Sequence, residues 1–121
     1  LQMLARPNIA SKETWVRQYD HEVIAQTALK PFVGVERDGP GDAGLIAPIH
    51  GSPHGIVVSC GIQPRYSDID AGAMAAASID EAVRNAVCAG VDVNLMAGLD
   101  NFCWPDSIES EKTPDGKFKL A

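Results

Sequence analysis

The sequence predicts an α+β domain with a small mixed β-sheet and helices on one face. Three observations predict it. Residues 71–89 carry apolar side chains at helical spacing. Two short apolar runs, "LIAP" and "GIVVSCG", flank the polar connection "IHGSPH". The order along the chain is helix, strand, strand, helix, strand, which is the pattern of a mixed architecture. So few elements leave one sheet face with little cover. A second such domain, or a second copy, is therefore expected to pack on it.

Taken in order, 11–19, "SKETWVRQY", predicts a helix with Ser11 as N-cap. Trp15, Val16 and Tyr19 would share one face. The next stretch, "DHEVIAQTALKPFVG", alternates weakly and holds a short edge strand that stops at Pro31. Three glycines and a proline within 36–44, "ERDGPGDAG", make a loop or turn. The two apolar runs then form a pair of strands, and the β-branched 56–59 is expected to be central. Ile79, Ala82, Val83, Ala86 and Val87 recur at i, i+3, i+4, i+7 and i+8 on the long helix. Gly90 stands where a left-handed cap belongs. Residues 92–99 read as another buried strand. The polar tail after Pro105, with "PDG" as a turn, reads as the start of a connection at 106–121.

The chain has 121 residues, enough for one domain with a real core. A net charge of -6 argues against a general nucleic-acid or membrane-surface role, because phosphate backbones need a basic face. No apolar run approaches the roughly 20 residues that span a bilayer. The start "LQMLARPNIASKE" lacks the order of a signal peptide. Cys60, Cys88 and Cys103 are odd in number and widely spaced, against a disulfide framework or structural zinc. They read as packing residues, and the cytoplasm is the expected compartment.

Chemistry-bearing residues are few. "GPGDAG", with Asp42, lacks the lysine and spacing of a phosphate-cradling loop, so spacing alone makes it a plain turn. His50 and His54 read as surface histidines. His21 in "YDHEV" lies between two carboxylates, which would raise its basicity on contact. Asp80 and Arg84 stand at i, i+4, as do Glu81 and Asn85. The plain reading is a solvated face with an ion pair. The sharper one makes Glu81 and Asn85 oxygen ligands for magnesium or its waters beside a polyphosphate.

Five stretches in register then carry a resemblance: "NIASKETWVRQYDHEV", "GPGDAG", "SCGIQPRYSDID", "DEAVRNAVCAG" and "LDNFCW". Together they resemble the synthetase subunit family of phosphoribosylformylglycinamidine synthase. The match is to the N-terminal, aminoimidazole-ribotide-synthetase-like domain of that subunit's second half. The resemblance implies that 1–121 is one such domain, a fragment of a longer chain. It implies a four-stranded mixed sheet that pairs with the sheet of a second such domain. It also implies a ligase that converts formylglycinamide ribotide, ATP and ammonia to the amidine, with ATP and magnesium as cofactors. The implied partners are the remaining domains of the subunit, a glutaminase and a small accessory subunit. An isolated fragment would form a homodimer and lack activity.

Residue by residue, the resemblance places Asp100 of the "DN" pair on nucleotide, with Phe102 and Trp104 closing its pocket. Arg65 and Tyr66 match the family's "RY" near the phosphate region. Asn85 stands where the related first half has a magnesium-binding Asp. Gly61 replaces an Asp found in many relatives, "SCGIQP" replaces "SHNHP", and "NFCWPD" replaces "NFGNP". The rival readings are a related ATP-binding synthetase or kinase-like protein, and a structural dimerisation module whose nucleotide site has lapsed.

Overall fold

A computed structural model of the chain describes residues 1–101. Phe102, Cys103, Trp104, the "PDG" turn and the connection at 106–121 lie outside the described residues.

The chain forms a small α+β domain. In order it has helix α1 (Glu13–Val16), strands β1 (Thr27–Leu29), β2 (Phe32–Val33), β3 (Gly39–Pro40), β4 (Ala43–Ile46) and β5 (Ile56–Ser59), and helix α2 (Ala71–Cys88). A 3-10 turn at Pro64–Asp68 leads into α2, and another at Val93–Leu95 follows it. β1, β4 and β5 form one sheet in that order, and β2 and β3 form a two-stranded ribbon. All the described strand pairs run antiparallel.

β4 and β5 pair from Ala43 opposite Ser59 to Ile46 opposite Ile56, joined by the polar segment 47–55. That is the strand pair the two apolar runs predict. β5 lies at an edge, however, and β4 is the central strand. The β-branched run at 56–59 misled because it is apolar on both faces. Val57 and Ser59 point inward, where Ser59 Oγ donates to the Ala82 carbonyl at 2.8 Å. Ile56 and Val58 point away and stay 52% and 64% exposed. Their cross-strand partners Ile46 and Gly44 lie on the same outer face.

The glycine-rich stretch is more than a turn. Gly39 and Pro40 pair with Val33 and Phe32, and Ala43 and Gly44 begin β4. Proline fits here because a two-stranded ribbon leaves its missing N–H outside the ladder.

α2 runs within one residue of the predicted span. Asp70 caps it, accepting from the Ala73 N–H at 2.7 Å. Gly90 beyond its end has φ +95°, the left-handed conformation that ends a helix without a Cβ penalty. Met74 and Ala86 are buried against the sheet and the preceding turn. Ile79 and Val87, expected on the covered stripe, are exposed, because a single narrow sheet covers only part of that face.

Three further expectations fail. The first helix keeps one turn, Glu13–Val16, with Lys12 as N-cap, and Trp15 and Tyr19 are exposed. Four residues cannot offset the cost of helix nucleation without packing. Residues 92–99 form no buried strand. The Asp92 carboxylate accepts from the Asn94 backbone N–H and side chain, both at 2.9 Å, and this closes a turn instead. Cys60 and Cys88 are exposed, at the ends of β5 and α2, and are not core residues.

Candidate functional site

The best-defined polar cluster lies where β5 leaves the sheet and crosses α2. Gly61 makes the crossing possible. A Cβ there would stand 1.9 Å from the Ser78 carbonyl oxygen and 2.8 Å from the Ala82 nitrogen, both backbone atoms. The segment 60–63 therefore lies directly on the helix, and two side chains one turn apart hold it. Asn85 Nδ2 donates to the Cys60 carbonyl at 3.0 Å. Glu81 Oε2 accepts from the Ile62 N–H and from Gln63 Nε2, both at 2.9 Å. The Glu81 carboxylate is thus an acceptor for the chain's own donors, which is the strong, charge-assisted kind of hydrogen bond.

This seat fixes the start of the 3-10 turn that carries Arg65 and Tyr66. Pro64 opens the turn, and buried Ser67 donates to the Pro64 carbonyl at 2.7 Å. The Tyr66 carbonyl accepts from the N–H groups of Ile69 and Asp70, which ties the turn to the cap of α2. Arg65 is exposed and Tyr66 is 50% exposed. Both are displayed by a firmly anchored backbone.

The structure thus joins Glu81 and Asn85 on one segment, 60–63, which leads into the turn carrying Arg65 and Tyr66 at the start of α2. Asp100 is exposed and follows an unpaired segment after the Val93–Leu95 turn, rather than a strand end. No described hydrogen bond or ion pair links it to Arg65 or Tyr66. Asp42 is exposed between β3 and β4. Asp80 and Arg84 form the expected surface pair at 2.7 Å, and Asp80 raises the Arg84 pKa.

His21 belongs to a different place, a cleft of about 200 Å³ lined by Arg17, Glu22, Lys30, Phe32 and Arg37 among others. Its Nδ1 lies 2.8 Å from the Gln18 carbonyl, which puts the proton of the neutral ring on Nδ1. Glu22 pairs with Lys30, and that hydrogen bond holds its carboxyl below the usual range. Arg17 bonds Glu13 at 2.6 Å and stacks on Phe32, 4.6 Å from the ring centroid. Sequence spacing does not reveal this cleft, because its residues are scattered over two loops, one helical turn and a ribbon. Gly61 and Gln63 were likewise missed as organising residues. The only signal was that Gly61 departs from the family's pattern.

No group of three or more His, Cys, Asp or Glu residues among the described ones is arranged to hold a metal ion. Glu81 Oε1 and Asn85 Oδ1 take part in no hydrogen bond among the described residues, and two such oxygens fall short of an all-protein cage for a hard cation.

Comparison with known proteins decides the family. Over 110 residues the chain is 37% identical to the "phosphoribosylformylglycinamidine synthase subunit PurL" of Methanothrix thermoacetophila, covering 91% of this chain and 13% of that protein. It is 37% identical over 109 residues to the subunit of the same name from Deinococcus radiodurans, covering 90% of this chain and 14% of the relative. The subunit from Thermosynechococcus vestitus is 36% identical over all 121 residues, 14% of its own length.

The chain is homologous to a segment of PurL.

The chain spans only about a seventh of the PurL relatives it matches. No family model matches it, and no solved structure does. The match to PurL runs across the described elements, so Glu81, Asn85, Arg65 and Tyr66 all stand within homologous sequence.

Proposed function

We propose that this chain is the N-terminal, aminoimidazole-ribotide-synthetase-like domain of the second half of a PurL subunit, and that it contributes a nucleotide and magnesium site. The full protein would convert formylglycinamide ribotide and glutamine-derived ammonia to the amidine at the expense of ATP. It would work with a glutaminase and a small accessory subunit. The observation that carries this reading is the 36% identity to a PurL subunit over the whole of the chain.

The geometry supports specific roles. Arg65 and Tyr66 project from an anchored turn, where a cation and a phenol can meet phosphate oxygens without first ordering a loop. Such fixed placement is what phosphoryl-transfer sites need, because their catalysis is mostly positioning and charge neutralisation. Asp100 supplies a carboxylate for the nucleotide. Glu81 and Asn85 seat the backbone of 60–63, and their remaining oxygens would meet the waters of the bound ion. Magnesium, when bound with the nucleotide, neutralises phosphate charge. The apolar outer face made by Ile46, Ile56 and Val58 is the surface on which another domain of the subunit packs.

One observation favours a second reading. Glu81 and Asn85 are already engaged by the chain's own backbone and by Gln63. A structural module with a lapsed nucleotide site would keep those bonds and bind nothing. Calorimetric titration of the full-length protein with MgATP, before and after Asp100→Asn, separates the two. The nucleotide site predicts an affinity loss of roughly tenfold to a hundredfold, from about 1.5–3 kcal/mol for one charge-assisted bond. Melting should barely change, because Asp100 is exposed. Unchanged affinity for MgATP in both proteins would sink the Asp100 assignment.

A further inference from the structure

The cleft at 17–37 shares no residue with the cluster on α2, and nothing in the nucleotide reading uses its cations. Three cationic side chains, Arg17, Lys30 and Arg37, converge on it in a protein whose net charge is -6. One carboxylate, Glu22, lines it, and that carboxylate is taken up by Lys30. Arg17 is oriented from three sides. Its Nε bonds Glu13, a terminal nitrogen donates to the Arg37 carbonyl, and its plane lies over Phe32. A guanidinium has five N–H donors, so this arrangement leaves others available for an acceptor. Arg37 adopts φ +52°, a conformation a side chain-bearing residue seldom takes. Its guanidinium makes no hydrogen bond with any described residue. Two guanidiniums with N–H donors to spare, at a cleft of about 200 Å³, are chemistry for an oxyanion with several acceptor oxygens.

We infer that this cleft binds the phosphate group of a small phosphorylated ligand, with Arg17 and Arg37 as its principal contacts. Arg17 meets two phosphate oxygens with a fork held flat against Phe32. Arg37, attracted to Glu22 but hydrogen-bonded through its guanidinium to no described residue, supplies the second cation. Lys30 keeps part of its hydration and adds attraction while it remains paired with Glu22. Arg17 already has Glu13 as its counter-charge, so the preference rests on geometry: a phosphate offers three terminal oxygens, enough to meet both guanidiniums at once, where a carboxylate offers two.

The probe is inorganic pyrophosphate, titrated by calorimetry into the full-length protein. Arg37→Gln should weaken saturable binding by about tenfold or more, the scale of one lost charge-assisted contact. Arg84→Gln removes the same charge from the solvated face of α2, outside the cleft lining, and should leave affinity within about twofold, since water and salt screen an exposed charge. Arg17→Lys keeps the charge and loses the fork. It should also weaken binding, and it serves as the test if Arg37→Gln does not fold. The idea is overturned by absence of saturable binding in the unsubstituted protein, or by equal losses in Arg37→Gln and Arg84→Gln. It is also overturned if binding disappears in Asp100→Asn and persists in Arg37→Gln, which would assign the pyrophosphate to the nucleotide site. A loss confined to the cleft variants supports it even where MgATP fails to bind.

Discussion

Replacing Gly61 by Ala tests how the candidate site is held. The added Cβ would fall 1.9 Å from the Ser78 carbonyl oxygen, 2.8 Å from the Ala82 nitrogen and 2.9 Å from the Ser78 carbonyl carbon. Ordinary contact begins near 3.4 Å. None of the three atoms is the movable end of a side chain, so the segment 60–63 must lift off α2 by roughly 1.5 Å, given the density of protein packing. A lift of that size breaks the bonds from Asn85 to Cys60 and from Ile62 and Gln63 to Glu81, which are 2.9–3.0 Å long. Overpacking costs roughly 1–3 kcal/mol, and each lost hydrogen bond about 0.5–1.5 kcal/mol. A local loss of roughly 2.5–7.5 kcal/mol follows, before the relief from water reaching the freed donors. Amide hydrogen exchange in the full-length protein reads this directly, through protection along α2 and the 62–66 turn. Gly98→Ala is the control, because a Cβ there meets nothing within 4 Å and its φ is not positive. It should be neutral, or stabilising by about 0.4–1 kcal/mol through the unfolded chain. Equal protection in the two variants would refute the claim that the close crossing organises the site.

Two other predictions follow from particular contacts. Lys30→Met should return the Glu22 carboxyl toward its ordinary pKa, since the Lys30 hydrogen bond is the leading cause of its lowering. In the unsubstituted protein the pair helps the fold above the unfolded carboxylate pKa, and that help fades as pH falls through the lowered folded value. Carboxyl NMR titration of Glu22 in both proteins checks the direction, and coincident curves would count against it. Val58→Asp places a charge on the outer sheet face, where Val58 is 64% exposed. If that face packs on another domain or copy, light scattering should show lost association or proteolysis should show loosened domains. A face that stays in water predicts a change within roughly ±0.5 kcal/mol and no change in assembly.

Residues close in sequence determined much of this protein without help from the rest of the chain. α2 was legible because its apolar spacing and Gly90 both act within a few residues. The β4–β5 pair was legible because two apolar runs bracket a short polar connection. The family was legible because five stretches recur in order. Asp92 shows the limit: its carboxylate closes a local turn, and the apolar residues after it find no strand to join. The place of β5 at the sheet edge was decided by β1 pairing with the far side of β4, a contact between segments whose register no local pattern encodes. The roles of Glu81 and Asn85 were decided by Gly61, which lets a segment about twenty residues earlier in the chain lie against their helix. The cationic cleft is likewise a product of tertiary structure. Arg17, Lys30 and Arg37 come from separate elements, and only the contact of the α1 end with the β2–β3 ribbon brings them to one cleft.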